Sequence, residues 1–203
     1  LETKRAGSQI AKSSVDYERL LAIGYDLLVA IGEDPNREGI RETPRRWASW
    51  WREFIEYDAG NIDVTFESVT TDQLVVVSGL RVWSLCEHHL LPFWSDITVG
   101  YLAEDRVMGL SKIARITTKV AHRLQLQERL VHQIADEIQA IIGSDKSVAV
   151  LGQGEHLCMA MRGVKMRGLM TTSVMRGFFM EKPELRQEFL QLAIGERTSH
   201  YAI

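Results

Sequence analysis

The chain is poor in cysteine, with two in 203 residues, Cys86 and Cys158. Two distant cysteines do not make a disulfide framework. The expectation is a reduced, cytoplasmic protein whose thiols are free to bind metal. Long apolar runs are also missing. No stretch approaches the roughly 18 residues that a membrane span needs, and the opening LETKRAGSQIAKSS has no apolar signal core. There is no basic excess either: 24 Lys and Arg stand against 27 Asp and Glu, a net charge of -3. That argues against general nucleic-acid binding, so an anionic ligand would need cations gathered locally. Internal repeats and low-complexity segments are absent. With 45% hydrophobic and 25% charged residues, what remains is an ordinary soluble globular chain. Its length suits one good-sized domain, or a domain with an extension.

The first thirteen residues are polar. From Val15, apolar positions at Leu20, Leu21, Gly24, Leu27, Leu28 and Ile31 recur at helical spacing, and Gly32 suits a helix end. After a turn-rich connector, Thr43-Pro44 reads as an N-cap followed by proline at the first helical position. Trp47, Trp50, Trp51, Phe54 and Ile55 then share a broad face suited to core or subunit contact. From residue 61 the pattern changes. The Val- and Thr-rich run 64–86 and DITVGYLA (96–103) read as strands. Ser111 is a candidate cap for a helix carrying Ile113, Ile116 and Val120. A second helix from about Gln127 to Gly143 places Leu130, Ile134, Ile138, Ile141 and Ile142 inward. Strands SVAVLGQ, EHLCMAMRGV and TTSVMRGFF follow, and Pro183 opens a last helix with Leu185, Phe189 and Leu192. Strand pairs joined by short turns imply antiparallel pairing with helices on one face, an α+β fold.

Each cysteine has a histidine within three positions, in SLCEHHLLPF (84–93) and EHLCMAMRGV (155–164). Cys86 and His89, three apart, share a side in a helical turn at a strand end. In a strand, His156, Cys158, Ala160 and Arg162 face one way and Leu157, Met159 and Met161 the other. Zinc takes thiolate and imidazole ligands tetrahedrally, and a catalytic site keeps one position open. Cys86, His89 and Cys158 supply such a set. Adjacent histidines do not readily ligate together from one extended segment, which leaves His88 with His156 as acid/base candidates.

Anion recognition has its own signal. Lys112 and Arg115, in GLSKIAR (109–115), open a helix where cations oppose its dipole. They make sense if an anion binds between them and the free backbone N–H groups. Arg162, on the metal-facing side of its strand, strengthens that reading, and Arg45 and Arg46 open the Thr43 helix in the same manner. Gln127-Glu128 begins another helix. A carboxylate there is favourable for structure alone, or it accepts the adjacent N–H donors of a guanine edge.

Taken together, SLCEHHLLPF, VMGLSKIARI, LQLQERL and EHLCMAMRGV, with TPRRWA and TTSVMRGFF, resemble GTP cyclohydrolase I from about Ile31 to Leu192. The resemblance implies the tunnelling fold, in which antiparallel sheets from several subunits form a barrel with helices outside. It implies an N-terminal helical extension over 1–60 and a catalytic domain over 61–203. It implies a homodecamer with active sites between subunits, converting GTP and water to 7,8-dihydroneopterin triphosphate and formate. By resemblance, Cys86, His89 and Cys158 hold Zn2+, which activates the water that attacks purine C8. His88 and His156 handle protons. Glu128, helped by Gln127, holds the guanine edge. Ser111 contacts the ribose, and Lys112, Arg115 and Arg162 bind triphosphate with Arg46 of a neighbouring subunit.

Two positions and one link depart from the family pattern. Ser49 stands where a lysine is usual, Ser95 where glycine is frequent, and the link KMRGLM is short. A purine- or pterin-binding oligomer with structural zinc is the alternative from a different class. A related tunnelling-fold enzyme acting on another purine or pterin is a third.

Overall fold

The computed structural model describes residues 14–68, 73–104, 106–143 and 146–195. These form two compact units divided between Asp58 and Ala59. Residues 1–13, and 69–72 of the expected strand run, lie outside the described residues.

In the first unit, α1 (Tyr17–Ala30) is capped by Asp16, whose side chain accepts from Arg19 N at 2.9 Å. The next helix, α2 (Thr43–Ile55), packs against it. Gly24 permits the contact: a Cβ there would stand 3.1 Å from Pro44 Cα. Two expectations change here. Thr43 is not the cap; it already lies in the helix, after Glu42, and no side chain caps the end. Along α1, Gly24 and Leu28 are buried, while Leu27 and Ile31 are exposed. Trp47 and Trp50 meet Trp51 edge-on, and Trp50 stacks on Phe54.

The second unit is built on a sheet. β1 (Thr65–Glu67) pairs with β4 (Arg106–Met108) as a separate ribbon. β2 (Gln73–Cys86), β3 (Pro92–Ala103), β5 (Leu124–Gln125), β6 (Val148–His156) and β7 (Met170–Met175) form one sheet, in the order β5-β2-β3-β6-β7. All its pairings are antiparallel except the short parallel contact of β5 with β2. The helices are α3 (Leu110–Ala121), α4 (Gln127–Ile142), α5 (Leu157–Ala160), α6 (Phe178–Glu181) and α7 (Pro183–Gly195). The fold is α+β.

The expected helical stripes bury Ile113, Ile116, Val120, Leu130, Ile134 and Ile138, whereas Ile141 and Ile142 at the end of α4 are only partly covered. Helices cover both faces of the sheet rather than one. On one face α4 approaches β6 so closely that a Cβ at Gly152 would lie 2.7 Å from Val131. On the other, Ala149 and Leu151 pack with Phe179, Phe189 and Ala193 from α6 and α7. A Cβ at Gly100 would meet the Phe189 ring at 2.5 Å. Alternation along β6 presents apolar side chains both ways, so the C-terminal helices cover the face that α4 leaves bare.

The expected strand 155–164 breaks early: β6 stops at His156, and Leu157–Ala160 forms a single helical turn. Beyond it, residues 161–169 are exposed. One tie returns this loop to the sheet, the Arg167 guanidinium paired with both oxygens of Glu155 at 2.7 and 2.9 Å.

Ser95 on β3 is fully buried, and its hydroxyl has no hydrogen-bond partner among the described residues. An unsatisfied buried hydroxyl costs about 1–3 kcal/mol. Ser95→Ala is therefore expected to raise the melting temperature, by about 2–4 °C for each kcal/mol recovered; an equal or lower melting point in calorimetry would refute this account. The pair at Glu155 gives a pH signature. Its hydrogen bond to Arg167 holds the carboxyl below the usual range. A carboxyl lowered on folding stabilises above its unfolded value, about 4.3, and loses that contribution as pH falls through the folded one. Arg167→Met should lower the urea midpoint at pH 7, and the gap to the parent should close below about pH 4. A gap that persists undiminished at pH 3 counts against the pair.

Candidate metal centre

The hairpin between β2 and β3 is closed by two backbone bonds. Cys86 N donates to Leu91 O and Leu90 N to Cys86 O, each at 2.9 Å. Leu90 adopts φ 55, a conformation uncommon for leucine, so that the chain turns back into β3. The second bond spans one helical turn and sets Cys86 and His89 on the same side, as their spacing predicts.

Cys158 reaches them from the far strand. β3 lies between β2 and β6, so the end of β2, the start of β3 and the end of β6 meet at one end of the sheet. There the Cys86 and Cys158 sulfurs and a His89 ring nitrogen lie within 4.8 Å of one another. Cys86 is buried, Cys158 half-buried and His89 exposed. Both cysteines are free thiols. Burial, and then the Cys86 sulfur beside it, push the Cys158 thiol above its usual range, while Arg162 draws it down. A bound divalent cation reverses both effects, since it replaces lost solvation and offsets the repulsion between thiolates. The donor set therefore fits a metal ion, with two soft ligands and one borderline ligand.

His88 stays outside that cluster, although its Nδ1 lies 3.9 Å from Cys86 Sγ. His156 closes β6 directly opposite Phe93, and that register stacks the two rings at 4.4 Å and 7°. Its Nε2 donates to Gln127 Oε1 at 3.0 Å. Burial lowers the His156 pKa from its ordinary value, against the smaller opposing pull of Glu128.

The remaining predicted residues are placed as follows. Glu128 is exposed in the first turn of α4, while Gln127 beside it is completely buried. Ser111 and Arg115 are exposed on α3 and Lys112 is half-buried there. Ser111 does not cap that helix; Gly109 precedes it and no side chain caps it. Lys112 Nζ donates to Asn61 O at 2.6 Å and Arg115 to Ala59 O at 3.3 Å. Arg162 is exposed just beyond α5. Arg46 is exposed on α2, in the other unit. Its neighbour Arg45 pairs with Glu42 at 2.8 Å, and Ser49 shares a hydrogen bond with Tyr17.

One supporting group went unassigned in the sequence. Glu87, inside the Cys-Glu-His-His run, pairs with Arg129 of α4. Arg129 also donates to Gln125 Oε1 at 2.9 Å and to Leu124 O at 3.2 Å, and Glu87 N donates to Gln125 O at 3.2 Å. The hairpin that carries two of the three metal-ligand candidates is thus tied to β5 and α4. The only hint in the sequence is the four-residue spacing of Gln125 and Arg129; their link to Glu87 depends on tertiary structure.

Comparison with known proteins gives a consistent result. The family model for GTP cyclohydrolase I matches residues 22–194. GTP cyclohydrolase 1 of Hyperthermus butylicus is 48% identical over 173 residues, covering 85% of this chain and 89% of that protein. The enzyme of the same name from Sulfurihydrogenibium sp. is 46% identical over 166 residues, covering 81% and 88%. That from Aquifex aeolicus is 40% identical over 183 residues, covering 90% and 99%.

Groups that orient metal ligands typically affect affinity by about 10–100-fold. Arg129→Met should weaken metal binding by about that factor, read by competition with a chromophoric chelator. Unchanged affinity would show that the hairpin holds its shape without the Glu87 pair.

Proposed function

The chain belongs to the GTP cyclohydrolase I family, and from that premise we propose that it hydrolytically opens the guanine imidazole ring of GTP, yielding 7,8-dihydroneopterin triphosphate and formate. The observation that carries this reading is the convergence of Cys86, His89 and Cys158 close to His156, whose ring is held by a hydrogen bond to Gln127. Cys86, His89 and Cys158 would hold zinc, which when bound supplies Lewis acidity and lowers the pKa of a coordinated water.

The protein's own groups do the rest. Glu128, exposed in the first turn of α4, accepts the ring N–H and amino protons of guanine, an arrangement that discriminates strongly against bases lacking those donors. His156 takes up a proton from the reacting purine, and His88, beside Cys86, returns one to the opening ring or the ribose. Ser111 contacts the ribose. Lys112, Arg115 and Arg162 neutralise the triphosphate. Lys112 and Arg115 each spend one donor on a backbone carbonyl and keep others for the ligand.

Assembly through the tunnelling fold, into a homodecamer with sites between subunits, would bring Arg46 of a neighbouring subunit to the same triphosphate. No helix among the described residues is long and apolar enough to cross a membrane, and the two free thiols suit a reducing cytoplasm.

The test is a zinc assay and GTP turnover on one sample. Zinc-loaded protein should release formate and, after oxidation, a fluorescent pterin. Cys158→Ser should lose both zinc and turnover. Turnover retained by that variant refutes the metal assignment. Nucleotide binding without turnover, with zinc loaded, favours a non-catalytic purine-binding protein instead.

A further inference from the structure

The resemblance gives Gln127 the task of helping Glu128 hold the guanine edge; the structure gives its side chain a set of partners within the fold. It is completely buried at the start of α4. Its side-chain nitrogen donates to Met170 O at 2.8 Å, to Gly152 O at 3.2 Å and to Thr172 Oγ1 at 3.3 Å. Two of these partners are backbone carbonyls, which only accept. Turning the amide over would set its oxygen against both of them, so the orientation is fixed by β6 and β7. Gly152 lets α4 come near enough for this, because any Cβ there would collide with Val131.

The amide oxygen then faces His156 Nε2 at 3.0 Å. A carbonyl oxygen accepts and cannot donate, so the proton of that bond belongs to Nε2. We infer that Gln127 is a positioning residue that holds His156 as its Nε2–H tautomer and leaves the lone pair on Nδ1, the nitrogen free to accept a proton. Phe93, stacked on the ring, fixes its plane; Gln127 fixes which edge is which. The other nitrogen of a functional histidine is commonly set in this way, by the hydrogen bond its partner makes. Gln127 and Glu128 therefore divide their work, the first turned inward to the histidine and the second outward to the ligand. The kinetic part of this inference rests on the GTP ring-opening reading; the tautomer does not.

The test uses zinc-loaded protein labelled with imidazole-15N histidine. His156 should give one protonated signal at Nε2 and one unprotonated signal at Nδ1. In Gln127→Met, which lacks the acceptor, the two should move toward a common averaged position. Gln127→Glu, which keeps an acceptor oxygen, should restore the separation. For GTP, Gln127→Met should lower kcat by about 10²-fold, the usual scale for a general acid/base group, with KM almost unchanged. An Nδ1–H signature in the parent protein overturns the inference whether or not the variants fold. So does an unchanged spectrum in Gln127→Met, or a raised KM with kcat retained, the mark of lost uniform binding. If the parent protein turns over no GTP, the functional reading fails, and the spectra still decide the tautomer.

Discussion

The register of β3 against β6 is the constraint on which the site depends. Phe93 lies opposite His156, and the pairing runs without a slip from there to Tyr101 and Val148. A slip of one residue would turn every side chain of β6 to the other face of the sheet. Val150 and Gly152 would lose α4, and Ala149 and Leu151 would lose Phe179 and Phe189. Because both faces are buried by different helices, such a slip is heavily penalised. The same register ends β6 where β2 ends, and so brings Cys158 to Cys86. Packing far from the chemistry thereby sets the distance between the metal-ligand candidates.

Around this frame, neighbouring residues are given opposite tasks by the local backbone. At the hairpin, a single helical turn aligns His89 with Cys86. His88, one step around, stays outside the cluster. At the start of α4, Gln127 points into the sheet and Glu128 away from it, as the roughly 100° between successive residues of a 3.6-residue helix dictates. Glu87 and Arg129 connect the two places. The metal candidates and the base-recognition candidate thus share one support, and a disturbance at either end of the Glu87–Arg129 pair reaches both.

Much of this was legible in the sequence because it follows from spacing. The Cys86–His89 turn and the inward faces of α3 and α4 express short periodicities that one chain carries openly, and the convergence of the two Cys/His motifs follows from the match of their donor chemistry. The failures share a cause. Alternation continues past His156 and predicts a strand through Cys158, yet the backbone turns helical at Leu157, which alternation over so few residues cannot reveal. Thr43 and Ser111 have cap chemistry but lie inside the first turns of their helices, at the first and second positions respectively. The inward role of Gln127 depends on carbonyls 25 and 43 residues away. The exposed apolar positions Leu27 and Ile31 on α1 break the expected stripe, since only Gly24 and Leu28 of that helix are buried.

The cations of α3 pose a physical problem that the structure resolves in part. Lys112 and Arg115 sit near a helix start with no acidic residue in its first turn and no side-chain cap, so they oppose the positive end of the dipole. Nothing within the helix offsets that. The carbonyls of Asn61 and Ala59 do so from outside, one for each side chain. Gly60 makes this arrangement possible by taking φ +63 between them, and a Cβ there would lie 3.1 Å from Arg115 Nη1. A carbonyl dipole supplies less than a full negative charge, so the pair retains a positive field at the helix start. An anion entering there meets cations whose side chains are already ordered, and ordering them is a cost of roughly 0.5–1.5 kcal/mol each that binding need not bear again. The segment 59–61 acts in this way as a rest for the cations, holding them in place without neutralising them.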